Sequence, residues 1–129
     1  FLQKGVLSWC IQNQLALRQR QDNWLVITYE QLTVDPKPVI DALVSHLELT
    51  HPERIWDQLS IPSAVKTQSE QQAVEMMAGE QSQRRLLIER WRDKVSAEEA
   101  KDLMEIVVQF GLDTYQGQEP YPNNNWLLK

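Results

Sequence analysis

Trp24-Leu25-Val26-Ile27-Thr28-Tyr29 is the segment that most restricts how this chain can fold. Three of its residues are β-branched and two are aromatic, and apolar and polar positions do not alternate. A continuous run of this kind fits a strand covered on both faces, as in a parallel sheet. A strand cannot satisfy its backbone N–H and C=O groups alone, and burying them unpaired is costly. Elsewhere the pattern is helical, and no second strand is evident. The run therefore asks for neighbours from outside the chain.

The other elements follow from periodicity. Leu7, Ile11 and Leu15 recur every fourth residue, with Val6, Cys10 and Leu17 beside them, which predicts a helix from Gly5 to Arg20. Gln21-Asp22-Asn23 breaks it. After the apolar run, Asp35 suits an N-cap and Pro36 a first helical position. Val39, Leu43 and Leu47 give that helix its stripe, and Thr50-His51-Pro52 ends it. A helical turn is expected from Pro52 to Leu59, a loop from Ile61 to Glu70 and a weak helix from Gln71 to Ala78. Gln81 to Lys94 is expected to be helical, with Leu87, Ile88 and Trp91 on one side. Ser96-Ala97-Glu98-Glu99 is a capping box. The helix it opens carries Ala100, Leu103, Met104, Val107 and Phe110, and closes at Gly111. The tail, Gln116 to Lys129, is expected to be irregular.

Composition narrows the class. The chain has 129 residues, about one domain, and 13 basic against 18 acidic residues give a net charge of −5. A nucleic-acid binder wants a basic surface, so that partner is disfavoured. No apolar run is long enough to span a bilayer, and no signal-peptide pattern opens the chain. Cys10 is the only cysteine, which rules out an internal disulfide or a cysteine-rich metal site. A cytoplasmic location is the default expectation. The first residue is Phe1 rather than Met, so a piece of something longer is expected.

Val26-Ile27-Thr28-Tyr29-Glu30-Gln31-Leu32-Thr33-Val34-Asp35-Pro36 resembles a sulfotransferase pattern: a hydrophobic strand ending in Tyr-Glu-(Asp)-Leu, then two residues and Asp-Pro. The family follows this with an amphipathic helix and a Leu-Gly-Leu-like ending. Here the ending is Leu47-Glu48-Leu49, with Glu48 where glycine is common. Trp9 and Asn13 upstream also look familiar. Arg90-Trp91-Arg92-Asp93-Lys94-Val95-Ser96 is similar to the family's Trp-(Lys/Arg)-x-x-(Leu/Phe)-(Ser/Thr), and Phe110-Gly111-Leu112 with Tyr115 matches its close. The order and spacing of these motifs carry the resemblance, across residues 5–115.

The resemblance implies a helix-rich α/β fold: residues 1–115 as the C-terminal part of a single P-loop-type sulfotransferase domain, with a buried parallel strand at 24–29 and four or five helices, and 116–129 as a tail. It implies transfer of a sulfuryl group from 3′-phosphoadenosine 5′-phosphosulfate (PAPS) to a hydroxyl or amine acceptor, leaving adenosine 3′,5′-bisphosphate. The Gly-rich phosphosulfate loop and the catalytic histidine lie near the family's N-terminus, and neither is here. No catalytic residue is therefore assigned, the chain alone is expected to be inactive, and its partner is the missing N-terminal part of the same domain. The family's Arg-Lys-Gly segment is not reproduced: Arg84 falls at the right offset before Trp91, without a following glycine.

Six residues are candidates for the donor nucleotide, each with a plainer reading. Tyr29 ends the apolar run, where α/β folds leave a crevice; it is otherwise a core tyrosine. In the family a tyrosine here lies beside adenine. Arg84 and Arg92 belong to a stretch of five cations within eleven residues, offset by Glu89 and Asp93 to a local +3. Arginine forks suit phosphate oxygens, although a solvated helix face explains such residues equally. Ser63, Lys66 and Thr67 lie in a segment resembling the family's serine-containing loop and suit a 3′-phosphate; a surface loop is as good a reading. His46 and His51 have no telling partner and are assigned neither to catalysis nor to a metal. The alternative from another class is a non-enzymatic helical protein-interaction module, supported by helix content and acidity.

Overall fold

The computed structural model describes residues 2–60, 75 and 79–129. Among these, helix α1 spans Leu2–Arg18, α2 Tyr29–Val34, α3 Pro36–His46, α4 Glu53–Ser60, α5 Gln81–Glu89 and α6 Ala97–Gln109. Short 3₁₀ turns occupy Arg90–Asp93 and Asn124–Trp126. The expected loop at 61–70 and the weak helix at 71–78 fall outside the described residues, apart from Glu75.

The long axis of the core is a seam between α1 and α6. Cys10 is fully buried there against Val107 and Leu112, with Val6, Trp9, Leu17, Met104, Ile106 and Phe110 packed around them. Both ends of α6 are satisfied by the residues the sequence singles out. The Ser96 hydroxyl accepts from the Glu99 N–H (3.2 Å), and the Glu99 carboxylate accepts from the Ser96 N–H (2.9 Å), a reciprocal cap. That contact holds the Glu99 carboxyl below its ordinary pKa. At the other end Gly111 takes φ +65°, its N–H donates to the Val108 carbonyl, and the Leu112 N–H donates to the Val107 carbonyl. The Phe110 carbonyl accepts from Gln14 Nε2 and Arg18 Nη2, both at 2.8 Å, so α1 caps α6 and places a cation at its negative end. A Cβ on Gly111 would lie 2.6 Å from Arg18 Nη2.

A second knot forms where α2 turns into α3. Val34, Pro36, Val39 and Ile40 are buried. Pro36 stands at the first position of α3, but the Asp35 side chain makes no capping bond. The helix stops at His46, before Thr50-His51-Pro52. Leu49 N–H donates to the Val44 carbonyl (3.0 Å), and Glu48 holds φ +50°. This is the same left-handed stop that Gly111 makes, with glutamate in the glycine place.

The expected strand is not there. Among the described residues no strand forms. Residues 24–28 are non-helical, and Leu25, Val26 and Ile27 make no backbone–backbone hydrogen bond with any described residue. Burial on both faces fails as well: Trp24 is 50% and Ile27 37% exposed. A strand exists only as part of a ladder, and this segment has no ladder partner among the described residues. Tyr29, expected to end the strand, instead opens α2. The helix expected over Gln81–Lys94 also changes character, tightening into a 3₁₀ turn at Arg90.

The two left-handed helix stops make opposite predictions. A non-glycine residue in this conformation costs about 1–2 kcal/mol, partly offset by the flexibility glycine brings to the unfolded chain. Glu48→Gly should raise stability by about 0.5–1 kcal/mol, and Gly111→Ala should lower it by more than 1 kcal/mol. Urea unfolding midpoints with unchanged slopes are the check.

Candidate functional site

Tyr29 opens α2, and its ring is 68% exposed. It fronts a hollow of about 350 Å³ whose other walls are Glu30, Leu87, Ile88, Trp91, Met104, Tyr115, Glu119 and Pro120. The apolar stripe of α5 supplies Leu87 and Ile88, and the 3₁₀ turn after it supplies Trp91. The change from α to 3₁₀ at Arg90 thus falls just before the residue that brings an indole to the hollow.

The opposite wall comes from the chain after α6. The Tyr115 hydroxyl donates to Glu30 Oε2 at 2.9 Å. Its ring meets Trp9 edge to face, with centroids 6.0 Å apart, a favoured aromatic geometry. Burial, then the nearby Glu30 charge and the hydrogen bond to it, push the Tyr115 hydroxyl pKa well above the ordinary tyrosine value. The hollow therefore offers three aromatic side chains, Tyr29, Trp91 and Tyr115, and two carboxylates, Glu30 and Glu119. Among the described lining residues there is no lysine or arginine. Such a surface accepts a flat, uncharged or N–H-bearing group and disfavours an anion.

The cations lie elsewhere. Arg84 donates through Nε to the Gly79 carbonyl (3.0 Å). Arg92 donates through Nη2 to the Gln118 carbonyl (2.7 Å) and stands 5.9 Å from the Trp91 ring centroid. Arg85 pairs with Glu89 at 3.2 Å. Of the six candidates from sequence, Tyr29 lines the hollow, Arg92 adjoins it through Trp91, and Arg84 is engaged with backbone at the start of α5. Ser63, Lys66 and Thr67 lie outside the described residues. His51 bonds the Glu53 carboxylate at 3.0 Å with both side chains exposed, and His46 lines a separate shallow groove with Trp24, Ile27 and Leu47. Among the described residues no cluster of metal-ligating side chains occurs, and no helix is long and apolar enough to cross a membrane.

Sequence reasoning passed over Glu30, Trp91, Tyr115 and Glu119 as site residues. Trp91 had a usable signal: it shares the Leu87–Ile88 stripe, and an indole at the end of such a stripe is large enough to reach past the packing surface. Glu30 and Tyr115 are 85 residues apart, and no local pattern joins them.

Comparison with known proteins assigns the class. A sequence model described as a sulfotransferase domain matches residues 5–112, which includes most of α1, all of α2 to α6 and the Gly111 stop. The chain belongs to the sulfotransferase family. No curated protein and no solved structure matches it. Tyr115, Glu119 and Pro120 lie past the matched region.

The Tyr115–Glu30 contact has a pH signature. The raised hydroxyl pKa means the folded state keeps its proton after an unfolded tyrosine has released it. Its contribution is therefore whole below the ordinary tyrosine value, about 10, and declines as pH rises above it. Tyr115→Phe should remove the last-titrating part of the tyrosinate absorbance and flatten the alkaline loss of stability. An unchanged 295 nm titration curve would contradict the contact.

Proposed function

We propose that this chain is the C-terminal portion of a PAPS-dependent sulfotransferase domain and forms the wall around the donor's adenine. The observation that carries this reading is Tyr29 sharing one hollow with Trp91, Leu87 and Ile88. A purine stacks on aromatic faces and carries N–H groups that a carboxylate accepts. The same surface repels phosphate, so the base enters and the phosphates point away. Arg84 and Arg92 each spend one hydrogen bond on a backbone carbonyl. Each guanidinium has five N–H donors, so donors remain for the 3′-phosphate. Ser63, Lys66 and Thr67 are kept as further contacts of that phosphate.

In the whole enzyme a base removes the acceptor's proton, the acceptor oxygen or nitrogen attacks sulfur in line, and the bond from sulfur to the donor's phosphate oxygen breaks. Hydrogen-bond donors stabilise charge on the sulfuryl oxygens and the departing phosphate. Those groups belong to the upstream part of the domain. The backbone of residues 25–27 supports that division, because it has no backbone hydrogen-bond partner among the described residues. The interaction-module alternative loses support on the same ground: residues 24–28 are not helical.

Two outcomes test the proposal. Incubated with PAPS and a broad panel of hydroxyl and amine acceptors, the 129-residue chain should show no turnover above blank. In the full-length enzyme, Tyr29→Ala should weaken adenosine 3′,5′-bisphosphate by roughly 5- to 100-fold, the range expected for loss of one base–aromatic stack of about 1–3 kcal/mol. Arg92→Ala should weaken it about tenfold or more through a lost charge-assisted contact of about 1.5–3 kcal/mol. Calorimetric titration measures both, and unchanged affinity in both variants would refute the assignment.

A further inference from the structure

Helix α2 has six residues, far fewer than a helix needs to persist on its own. Its N-cap residue, Thr28, makes no side-chain capping bond, and the buried Thr28 hydroxyl has no hydrogen-bond partner among the described residues. Yet this helix carries Tyr29, the residue on which the adenine reading rests. Something outside α2 must fix it.

α2 packs against α3 and α5, and the chain beyond the matched sulfotransferase region adds hydrogen bonds to it at two adjacent residues. Glu30 is held by the Tyr115 hydroxyl at 2.9 Å. Gln31, only 3% exposed, uses its whole side-chain amide on Leu128: Nε2 donates to the Leu128 carbonyl at 2.7 Å, and Oε1 accepts from the Leu128 N–H at 2.9 Å. This reproduces the two-way pairing of neighbouring strands with a single side chain, so neither partner is left unpaired. The intervening tail is itself tied down. Asn123 N–H donates to the Thr114 carbonyl at 2.8 Å, and the Asn123 side-chain amide donates to the Asp113 carbonyl. Trp126 Nε1 donates to Asp113 Oδ1 at 3.1 Å, the Arg20 guanidinium lies 4.4 Å from the Trp126 ring centroid, and Pro120 and Pro122 are buried. A tail anchored at both ends and along its length is a strap.

We infer that residues 113–129 form a strap whose two pins, Tyr115 on Glu30 and Leu128 on Gln31, make Tyr115 and Gln31 positioning residues for Tyr29. The inference rests on the adenine reading only for its functional consequence; the strap itself stands on the hydrogen bonds above. Gln31 was outside every sequence-based candidate set because a lone glutamine between Glu30 and Leu32 has no local pattern to mark it. Its role shows only when the far end of the chain is brought to it, across 97 positions.

The test uses the full-length enzyme with three variants: Gln31→Met, which keeps the length and removes both hydrogen bonds; Gln31→Met with Tyr115→Phe; and Tyr29→Ala. Hydrogen–deuterium exchange reads the amides of residues 29–34. Calorimetry compares adenosine 3′,5′-bisphosphate with ribose 3,5-bisphosphate, which lacks the base. The double variant should speed exchange at 29–34 by tenfold or more while the α1 and α6 amides hold their protection. It should also weaken the adenosine ligand about tenfold and leave the baseless ligand unaffected. Unchanged exchange at 29–34 overturns the strap whatever the ligands do, and so does exchange that rises equally in α1 and α6, which is general unfolding. If exchange rises locally and Tyr29→Ala weakens the adenosine ligand but the double variant does not, the positioning role is wrong. If exchange rises locally and Tyr29→Ala itself has no effect, the strap stands and the adenine reading falls.

Discussion

The Phe110 carbonyl, accepting from both Gln14 and Arg18, is the point on which the arrangement depends. It locks the end of α6 to the face of α1, beside the buried contact of Cys10 with Val107 and Leu112. Gly111 then turns the chain back in a left-handed step at φ +65°, where a side chain would be strained and would also displace the Arg18 guanidinium. That step delivers Tyr115 to Trp9 and Glu30. Loosen the seam and the hollow loses one wall, because Met104 comes from α6 and Tyr115, Glu119 and Pro120 follow from the turn.

From this seam outward the molecule becomes progressively less self-sufficient. α6 is capped at both ends by its own neighbours. α3 ends on a strained Glu48. α2 is too short to stand alone and is held by α3, α5, the Tyr115 hydroxyl and the Leu128 backbone. Residues 25–27 have neither ladder nor helix to satisfy them among the described residues. On the proposed reading this gradient marks where the rest of the sulfotransferase domain would attach. The apolar row of Leu7, Ile11 and Leu15, exposed on the side of α1 away from the seam, is consistent with it.

Much of this was legible in the sequence, and the failures have physical causes. Four-residue spacing located α1, α3 and α6, but in α1 the row it picked out, Leu7, Ile11 and Leu15, is the exposed side, and Val6, Cys10 and Leu17 beside it form the buried face. The capping box at Ser96–Glu99 and the stop at Gly111 were readable residue by residue, since caps are local chemistry. The motif from Val26 to Pro36 pointed to the sulfotransferase family, which the match over residues 5–112 establishes. The segment at 24–29 was misjudged because side-chain pattern reports what environment a segment suits, whereas a strand also requires a partner. Tyr29 was marked as a site residue from its place after the apolar run, and it does line the hollow. Its neighbours there were not marked: Glu30, Tyr115 and Glu119 meet through tertiary contacts, which no spacing rule encodes. Gln31 was invisible for the same reason.

The central proposal is that the upstream part of the domain covers the backbone of residues 25–27, which is non-helical and has no ladder partner among the described residues. Amide hydrogen exchange at Leu25, Val26 and Ile27, compared between the 129-residue chain and the longer protein proposed to contain it, tests this most directly. The account predicts that these amides exchange at close to the free-peptide rate in the chain alone. In the full-length enzyme they should be protected by two orders of magnitude or more. Equal exchange in the two proteins would mean that no neighbouring strand pairs with this segment, and the division of the domain argued above would be wrong.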